Sequence, residues 1–222
     1  MMKAYDEIFL ENGVGFYQEK EGFRFGHDAV LLADFIVEFA KAQQKNLEIG
    51  TGNGILPVLL SQRGFVSKEY CAVDILESNI DLAKQNAENN GVSARFVCQD
   101  IRNFSEKNAY AQIFANPPYM KRDGKLQNIN SNKAIARHEI CLTLEEFIRS
   151  AKKILAPIGA LYMVYRSHRL QELFENFIKY GFYVSKIQFV YHQNGRVSNL
   201  VLLEVYKGKK GSCTILTPKY IK

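Results

Sequence analysis

Two short stretches carry residue types that ordinary packing does not require. Asn116-Pro117-Pro118-Tyr119 follows an apolar run and puts an amide, two imide carbonyls and a phenol ring into four residues. Proline has no amide proton, so the pair stiffens a turn and leaves carbonyl oxygens free to point outward. An exocyclic amine on a planar ring offers two hydrogens. The Asn116 side-chain oxygen and the Pro117 carbonyl supply two acceptors for them, and Tyr119 a flat face for the ring. The lone pair of such an amine is delocalised into the ring, and it attacks well only when both hydrogens are held so that the nitrogen becomes pyramidal. That chemistry is positioning and electrostatics, and it needs neither metal nor covalent nucleophile.

The second stretch is Leu47-Glu48-Ile49-Gly50-Thr51-Gly52-Asn53-Gly54. Gly50 and Gly52 remove side chains that would keep a ligand off the backbone, as in nucleotide-binding turns between a strand and a helix. A dinucleotide fingerprint needs its third glycine at position 55; this chain has Ile55, which counts against a nicotinamide or flavin enzyme. Two more carboxylates close later strands, in Val73-Asp74-Ile75 and Cys98-Gln99-Asp100-Ile101. Asp74 stands at a spacing from Gly50 that suits a carboxylate accepting both ribose hydroxyls. Alone, each of Glu48, Asp74 and Asp100 reads as an ordinary strand-end carboxylate. Three acids after three consecutive strands converge on one edge of a sheet and form a cofactor site together.

The elements that must position them are legible in the periodicity. Strands are expected over 46–49, 70–73, 94–98, 111–115 and 159–165, and helices over 55–62, 78–90 and 167–180. A first helix begins at Asp28, read as its cap, and another runs from a Thr143 cap with Glu146 in the capping-box position to about residue 155. The last part, 182–191 and 198–206, reads as two strands joined by a polar turn. Alternating strand and helix demands a doubly wound, mostly parallel α/β sheet, here of seven strands with a C-terminal antiparallel hairpin. A chain of 222 residues supports one such domain, with an N-terminal lead-in and helix over about 1–44 and an aperiodic basic loop over about 120–140.

Composition excludes little else. Hydrophobic residues at 47% and charged residues at 23% fit a globular chain, and a formal charge of +6 permits a polyanionic partner without identifying one. Cys71, Cys98, Cys141 and Cys213 form no CxxC pair and read as reduced core residues. The acidic N-terminus does not resemble a signal peptide and no stretch approaches a membrane span, so an intracellular, cytoplasmic protein is expected.

Glu48-x-Gly50-x-Gly52-x-Gly54 resembles the first motif of class I methyltransferases, whose loop lies under the methionine part of S-adenosylmethionine. The resemblance implies cofactor contacts from Glu48, Gly50, Thr51, Gly52, Gly54, Asp74, Ile75, Asp100 and Ile101, with Asp100 accepting from the adenine amine of the cofactor. Asn-Pro-Pro-Tyr is shared by enzymes acting on adenine in nucleic acid, on guanine in related forms, and on glutamine of release factors. The whole chain is similar to the bacterial tRNA(Val) adenine-37 N6-methyltransferases. The marks are the run from Gly22-Phe23-Arg24-Phe25-Gly26-His27-Asp28 to Ala33, then Ala136-Arg137-His138-Glu139, and the closing Val201-Leu202-Leu203-Glu204.

That similarity implies methyl transfer to the N6 amine of an adenine in transfer RNA, with Asn116, Pro117, Pro118 and Tyr119 at the reacting centre; no metal is expected, and a monomer is favoured with the oligomeric state left open. His27, where relatives commonly have threonine, and Asp28 would lie against the methionine end of the cofactor. Lys121, Arg122, Arg137 and His138 of the basic loop, and Lys207, Lys209 and Lys210 near the C-terminus, are candidate RNA contacts. Two alternatives stay open: an N5-glutamine methyltransferase acting on a protein, and a non-catalytic RNA-binding module of the same fold.

Overall fold

The computed structural model describes residues 5–9, 15–19, 26–117 and 142–221. An antiparallel hairpin, β1 (Tyr5–Phe9) and β2 (Gly15–Glu19), precedes helix α1 (His27–Phe39). The chain then alternates through β3 (Lys45–Ile49), α2 (Ile55–Gln62), β4 (Glu69–Asp74), α3 (Glu77–Asn89), β5 (Arg95–Cys98) and β6 (Tyr110–Ala115). After the next described helix, α4 (Leu144–Ile154), come β7 (Leu155–Arg166), α5 (Leu170–Lys179), β8 (Phe182–His192) and β9 (Leu200–Lys207). Two short strands, β10 (Thr214–Ile215) and β11 (Lys219–Ile221), close the described chain.

The central sheet is ordered β5-β4-β3-β6-β7-β9-β8, with β10 and β11 both parallel to β8 on its outer side. Only β9 runs against its neighbours, as the closing hairpin requires. The seven expected strands are all present, and the two short additions make nine. Strand order reverses between β3 and β6, because the chain first winds outward through β4 and β5 and then returns to the other side of β3. In doubly wound sheets this is where a crevice opens at the carboxyl ends of the strands.

Alternation along each strand divides the core in two. Leu47 and Ile49 face one layer with Val73, Ile113, Met163 and Leu203, covered by Phe147, Ile148 and Ile154 of α4 and by Phe177 of α5. Phe114, Tyr162 and Leu202 face the other layer, covered by Leu32, Phe35 and Ile36 of α1 and by Leu56 and Leu59 of α2. Glu48 alternates with Leu47 and Ile49, so it points into the α1–α2 layer, where a carboxyl has to find its own partners.

Four expectations need correction. The N-terminal lead-in forms the β1–β2 hairpin, and its Phe16 and Gln18 are buried. Asp28 does not cap α1: Gly26 is the N-cap, without a side-chain hydrogen bond, and Asp28 sits in the first turn. The helix expected over 167–180 begins as a 3-10 turn, Ser167–Arg169, before α5. Cys98 and Cys213 are exposed rather than core, Cys98 because β5 lies at the sheet edge; Cys71 is buried as expected, and all three are free thiols. Cys141 lies outside the described residues.

Candidate active site

Ile49 in β3 is the register partner of Ala115 in β6. The Gly50 turn and the Asn116 turn therefore leave adjacent parallel strands one residue beyond a matched pair. Glu48, Gly50, Thr51 and Asn116 line a single cavity of about 40 Å³ with Ala29 and Leu32 of α1 and Ile55 and Leu56 of α2. That volume takes the end of a ligand and forms the floor of the crevice.

The glycine turn owes its shape to where its amides go. Gly50 and Thr51 donate to the Val73 carbonyl at 2.8 and 3.1 Å, and the Gly52 amide donates to Asp74 Oδ2 at 2.9 Å. Three successive N–H groups are thus directed to β4, and the turn is no phosphate cradle of the kind a dinucleotide needs. Gly50 has φ +77°, and a Cβ there would meet nothing within 4 Å, so its open side faces space. Gly54 does a different job: a Cβ there would stand 2.9 Å from Ala83 of α3, so this glycine lets α2 and α3 pack and does not line the cavity.

Glu48 is 4% exposed. Its Oε2 accepts from Thr51 Oγ1 at 2.8 Å and from the Tyr70 hydroxyl at 3.1 Å. Burial pushes the carboxyl up to about 7; the two hydroxyls pull it down, and nearby Asp74 raises it further. A buried carboxyl supported only by neutral hydroxyls is poised for a cation.

Asp74 closes β4 and accepts from three protein donors: Gly52 N, Leu76 N at 3.0 Å and Asn79 Nδ2 at 3.1 Å. A carboxylate has about four acceptor positions, so one remains for a ribose hydroxyl where two were expected. Beside it, Ile75 and Leu76 expose apolar surface at the strand end.

Asp100 is engaged within its own turn. Its carboxylate accepts from the Arg102 amide at 2.9 Å and from the Arg102 guanidinium at 2.6 to 3.0 Å, capping the 3-10 turn Ile101–Asn103. The Arg102 side chain holds its carboxyl below the usual range. Ile101 is buried in the core. The structure therefore gives Asp100 and Ile101 a structural role at the end of β5 that their spacing did not reveal.

His27 and Asp28 do not share the first cavity. They line a second one, of about 130 Å³, at the ends of β7 and β8. Ala29 and Leu32, three apart, share a face toward the Gly50 turn; Asp28, four residues before Leu32, lies on that side too but at the amino end of the helix, where it reaches the second cavity. Pro117 is buried; Pro118, Tyr119, Lys121, Arg122, Arg137 and His138 lie outside the described residues.

Lys207, Lys209 and Lys210 are placed far from all of this. β9 runs antiparallel to β7, so its end meets the amino edge of the sheet. Lys207 Nζ donates there to Asn108 Oδ1 at 2.8 Å and to the Leu155 carbonyl at 2.6 Å, while Lys209 and Lys210 rest over the rings of Tyr206 and Tyr183. A six-residue strand separates this edge from the crevice by roughly 20 Å. The tail strand β11 returns to the opposite, carboxyl edge beside residues 190–192.

Asn86 escaped the sequence reading altogether. It lies on α3 with no exposed surface. Its Nδ2 donates to the Asn53 carbonyl at 2.9 Å and to the Tyr17 carbonyl at 2.8 Å, while its Oδ1 accepts from the Tyr17 amide at 2.8 Å. One side chain thus ties hairpin β1–β2 to the glycine turn. The available signal was a polar residue among the apolar positions Ile80, Ala83 and Ala87 of an amphipathic helix.

Known proteins share this chain's family and fold. Residues 27–188 match the family model described as methyltransferase small domain. The chain is 29% identical over 191 residues to a Tolumonas auensis protein named tRNA1(Val) (adenine(37)-N6)-methyltransferase, covering 84% of this chain and 77% of that one. A Photobacterium profundum protein of the same name is 30% identical over 166 residues, 72% of this chain and 68% of its own length. Among solved structures, a predicted O-methyltransferase from Agrobacterium tumefaciens superposes with a TM-score of 0.65 at 17% identity, over 87% of this chain and 86% of that one, a likeness of fold.

Proposed function

Because the chain belongs to the methyltransferase small domain family, we propose that it transfers a methyl group from S-adenosylmethionine to the N6 amine of an adenine in transfer RNA. The observation that carries this reading is the single cavity shared by Glu48, Gly50, Thr51 and Asn116. The relatives' names supply the acceptor.

The residues present fit that cofactor. The open side of Gly50 admits close approach, and the turn spends its amides on β4, leaving no cradle for an anion. The Glu48 carboxyl, pushed up to about 7, favours a neighbouring cation. Asp74 keeps one acceptor position for a ribose hydroxyl, and Ile75 and Leu76 offer apolar surface to a ring. When bound, S-adenosylmethionine supplies an electrophilic methyl on a positively charged sulfur.

The remaining work belongs to the chain. Asn116 stands at the end of β6, where its side-chain oxygen and the Pro117 carbonyl accept the two hydrogens of the incoming amine. Holding both favours a pyramidal nitrogen whose lone pair is aimed along the crevice toward the Gly50 turn. Proximity and a fixed pair of acceptors then lower the barrier without a metal or a covalent intermediate. The reading takes residues 1–222 as a single methyltransferase domain.

The test is direct. The purified protein is incubated with methyl-labelled S-adenosylmethionine and, separately, total transfer RNA, ribosomal RNA, DNA and a release factor, and the products are digested and identified. N6-methyladenosine from transfer RNA is the expected product. Label in glutamine, or in no nucleic acid, would overturn the reading.

A further inference from the structure

The second cavity lies on the opposite side of the Asn116 turn from the glycine turn. Sheet order is β4-β3-β6-β7-β9-β8, so the cofactor strands are on one flank of β6 and the strands around this cavity on the other. Arg166 ends β7, Tyr191 and His192 end β8, Asn199 precedes β9, and His27 and Asp28 come from the first turn of α1. At about 4.8 Å per strand, β9 stands roughly 10 Å from β6. An acceptor base gripped at Asn116 would have its chain neighbours within that reach.

Size and lining define what the cavity takes. Its volume, about 130 Å³, is close to the roughly 150 Å³ that admits a benzene ring. Three aliphatic side chains, Val190, Leu200 and Ile221, supply apolar wall, and the rest of the lining is polar. A bare phosphate would meet the guanidinium of Arg166, but it would also meet the carboxylate of Asp28. A heterocycle with both donors and acceptors on its edge suits the mixture of Asp28, Asn199 and Arg166. Tyr191, in the lining, stacks on Tyr220 just outside it, with ring centres 5.8 Å apart and planes 29° from parallel. Tyr220 is 61% exposed on a short edge strand, and its ring belongs to neither core cluster. Aromatic side chains of this kind are how proteins hold unpaired bases.

We infer that this cavity is the subsite for a nucleotide flanking the acceptor adenine in a looped or single-stranded RNA, its ring entering between Asn199 and His192 and the next base stacking on Tyr220. The assignment rests on the RNA reading above. It places the methyl donor and the flanking RNA on opposite sides of Asn116, so that binding of each can be tested without the other.

Labelled transfer RNA is titrated with the protein by fluorescence anisotropy, and methylation is followed at varied RNA and varied S-adenosylmethionine. Tyr220→Ala and His192→Ala should each raise the Kd and the KM for RNA about tenfold, the size expected for loss of one base–aromatic contact. Their Kd for S-adenosylmethionine should stay within twofold, and Tyr220→Phe, which keeps the ring, should bind RNA as the parent does. Both residues are exposed, so truncation empties no core. If the parent methylates and binds RNA while both alanine variants match it, the subsite is wrong and the RNA reading stands. If the parent neither binds nor methylates any RNA, both are wrong.

Discussion

Along the amino edge of the sheet, where β3 to β6 begin, charged side chains neutralise one another. Lys45 meets Glu69 at 3.1 Å and Glu106 at 3.4 Å, Arg95 meets Glu106, and Lys207 is held by Asn108 and a backbone carbonyl. These groups are partly exposed, and such pairs contribute about 0–1 kcal/mol each. Along the carboxyl edge of the same strands, Glu48 has only hydroxyls as donors among the described residues, and Asp74 spends its acceptors shaping a turn. The lesson is that a charge given a countercharge serves the fold, while a buried acid given only neutral donors is kept ready for a ligand. Sequence shows carboxylates and lysines in both places; register decides which edge each one reaches.

The contrast can be broken most severely at Asn116. Asn116→Ala should lower turnover on RNA by about 10²- to 10³-fold, as loss of one preorganised hydrogen-bonding group does. Calorimetry should find the Kd for S-adenosylmethionine unchanged within about twofold. Next comes Asp74→Ala, expected to weaken cofactor binding by about 10- to 100-fold, because a hydrogen bond to a charged acceptor is lost and the Gly52 amide is released. An unchanged Kd would remove Asp74 from the site.

Glu48 sharpens the contrast through pH. Its folded-state carboxyl titrates near 7, above the ordinary 4.5. A cation favours the ionised form, so affinity for S-adenosylmethionine should rise as pH increases toward 7, by up to about tenfold per unit, and level off above it. Stability has the opposite slope. A raised acid pKa means that the folded state holds its proton more tightly than the unfolded one, so stability is greatest below about 4.5 and falls as pH rises to about 7. The full drop is roughly 3 kcal/mol. Glu48→Gln should flatten both profiles, and thermal melts at pH 5 and pH 8 would show whether it does. The smallest effect belongs to the amino edge: Lys209→Ala combined with Lys210→Ala should alter the KM for RNA less than twofold. A larger change would mean that RNA reaches around the sheet.

Much of this was legible because local chemistry sufficed. Thr143 and Glu146 form the expected capping box, with Glu146 N donating to Thr143 Oγ1 at 3.2 Å and Thr143 N to Glu146 Oε2 at 2.9 Å. Helix Ile55–Gln62 has the bounds expected from its apolar run Ile55–Leu60 and the two polar residues that follow it. The Gly50 and Asn116 turns meet because strand–helix alternation leaves few ways to order a parallel sheet. What was not legible depends on partners remote in sequence. Strand β10 has two residues and exists only by pairing with Lys186 and Ile187. Asp100 turns to Arg102, two residues on, and Arg102 is itself steadied by Glu146 from α4. The two basic stretches near the C-terminus look alike in sequence, yet they finish at opposite edges because β9 runs antiparallel and β11 parallel.

Asn86 presents to Tyr17 both a donor and an acceptor, as the backbone of a neighbouring strand would. A helix side chain thereby imitates a missing sheet partner, and the same amide nitrogen reaches the turn that carries Gly50 and Gly52. Peeling the hairpin away, by trimming or by a competing contact, would loosen the splint on that turn, so damage about 35 residues upstream of Asn53 is felt at the ligand end of the crevice.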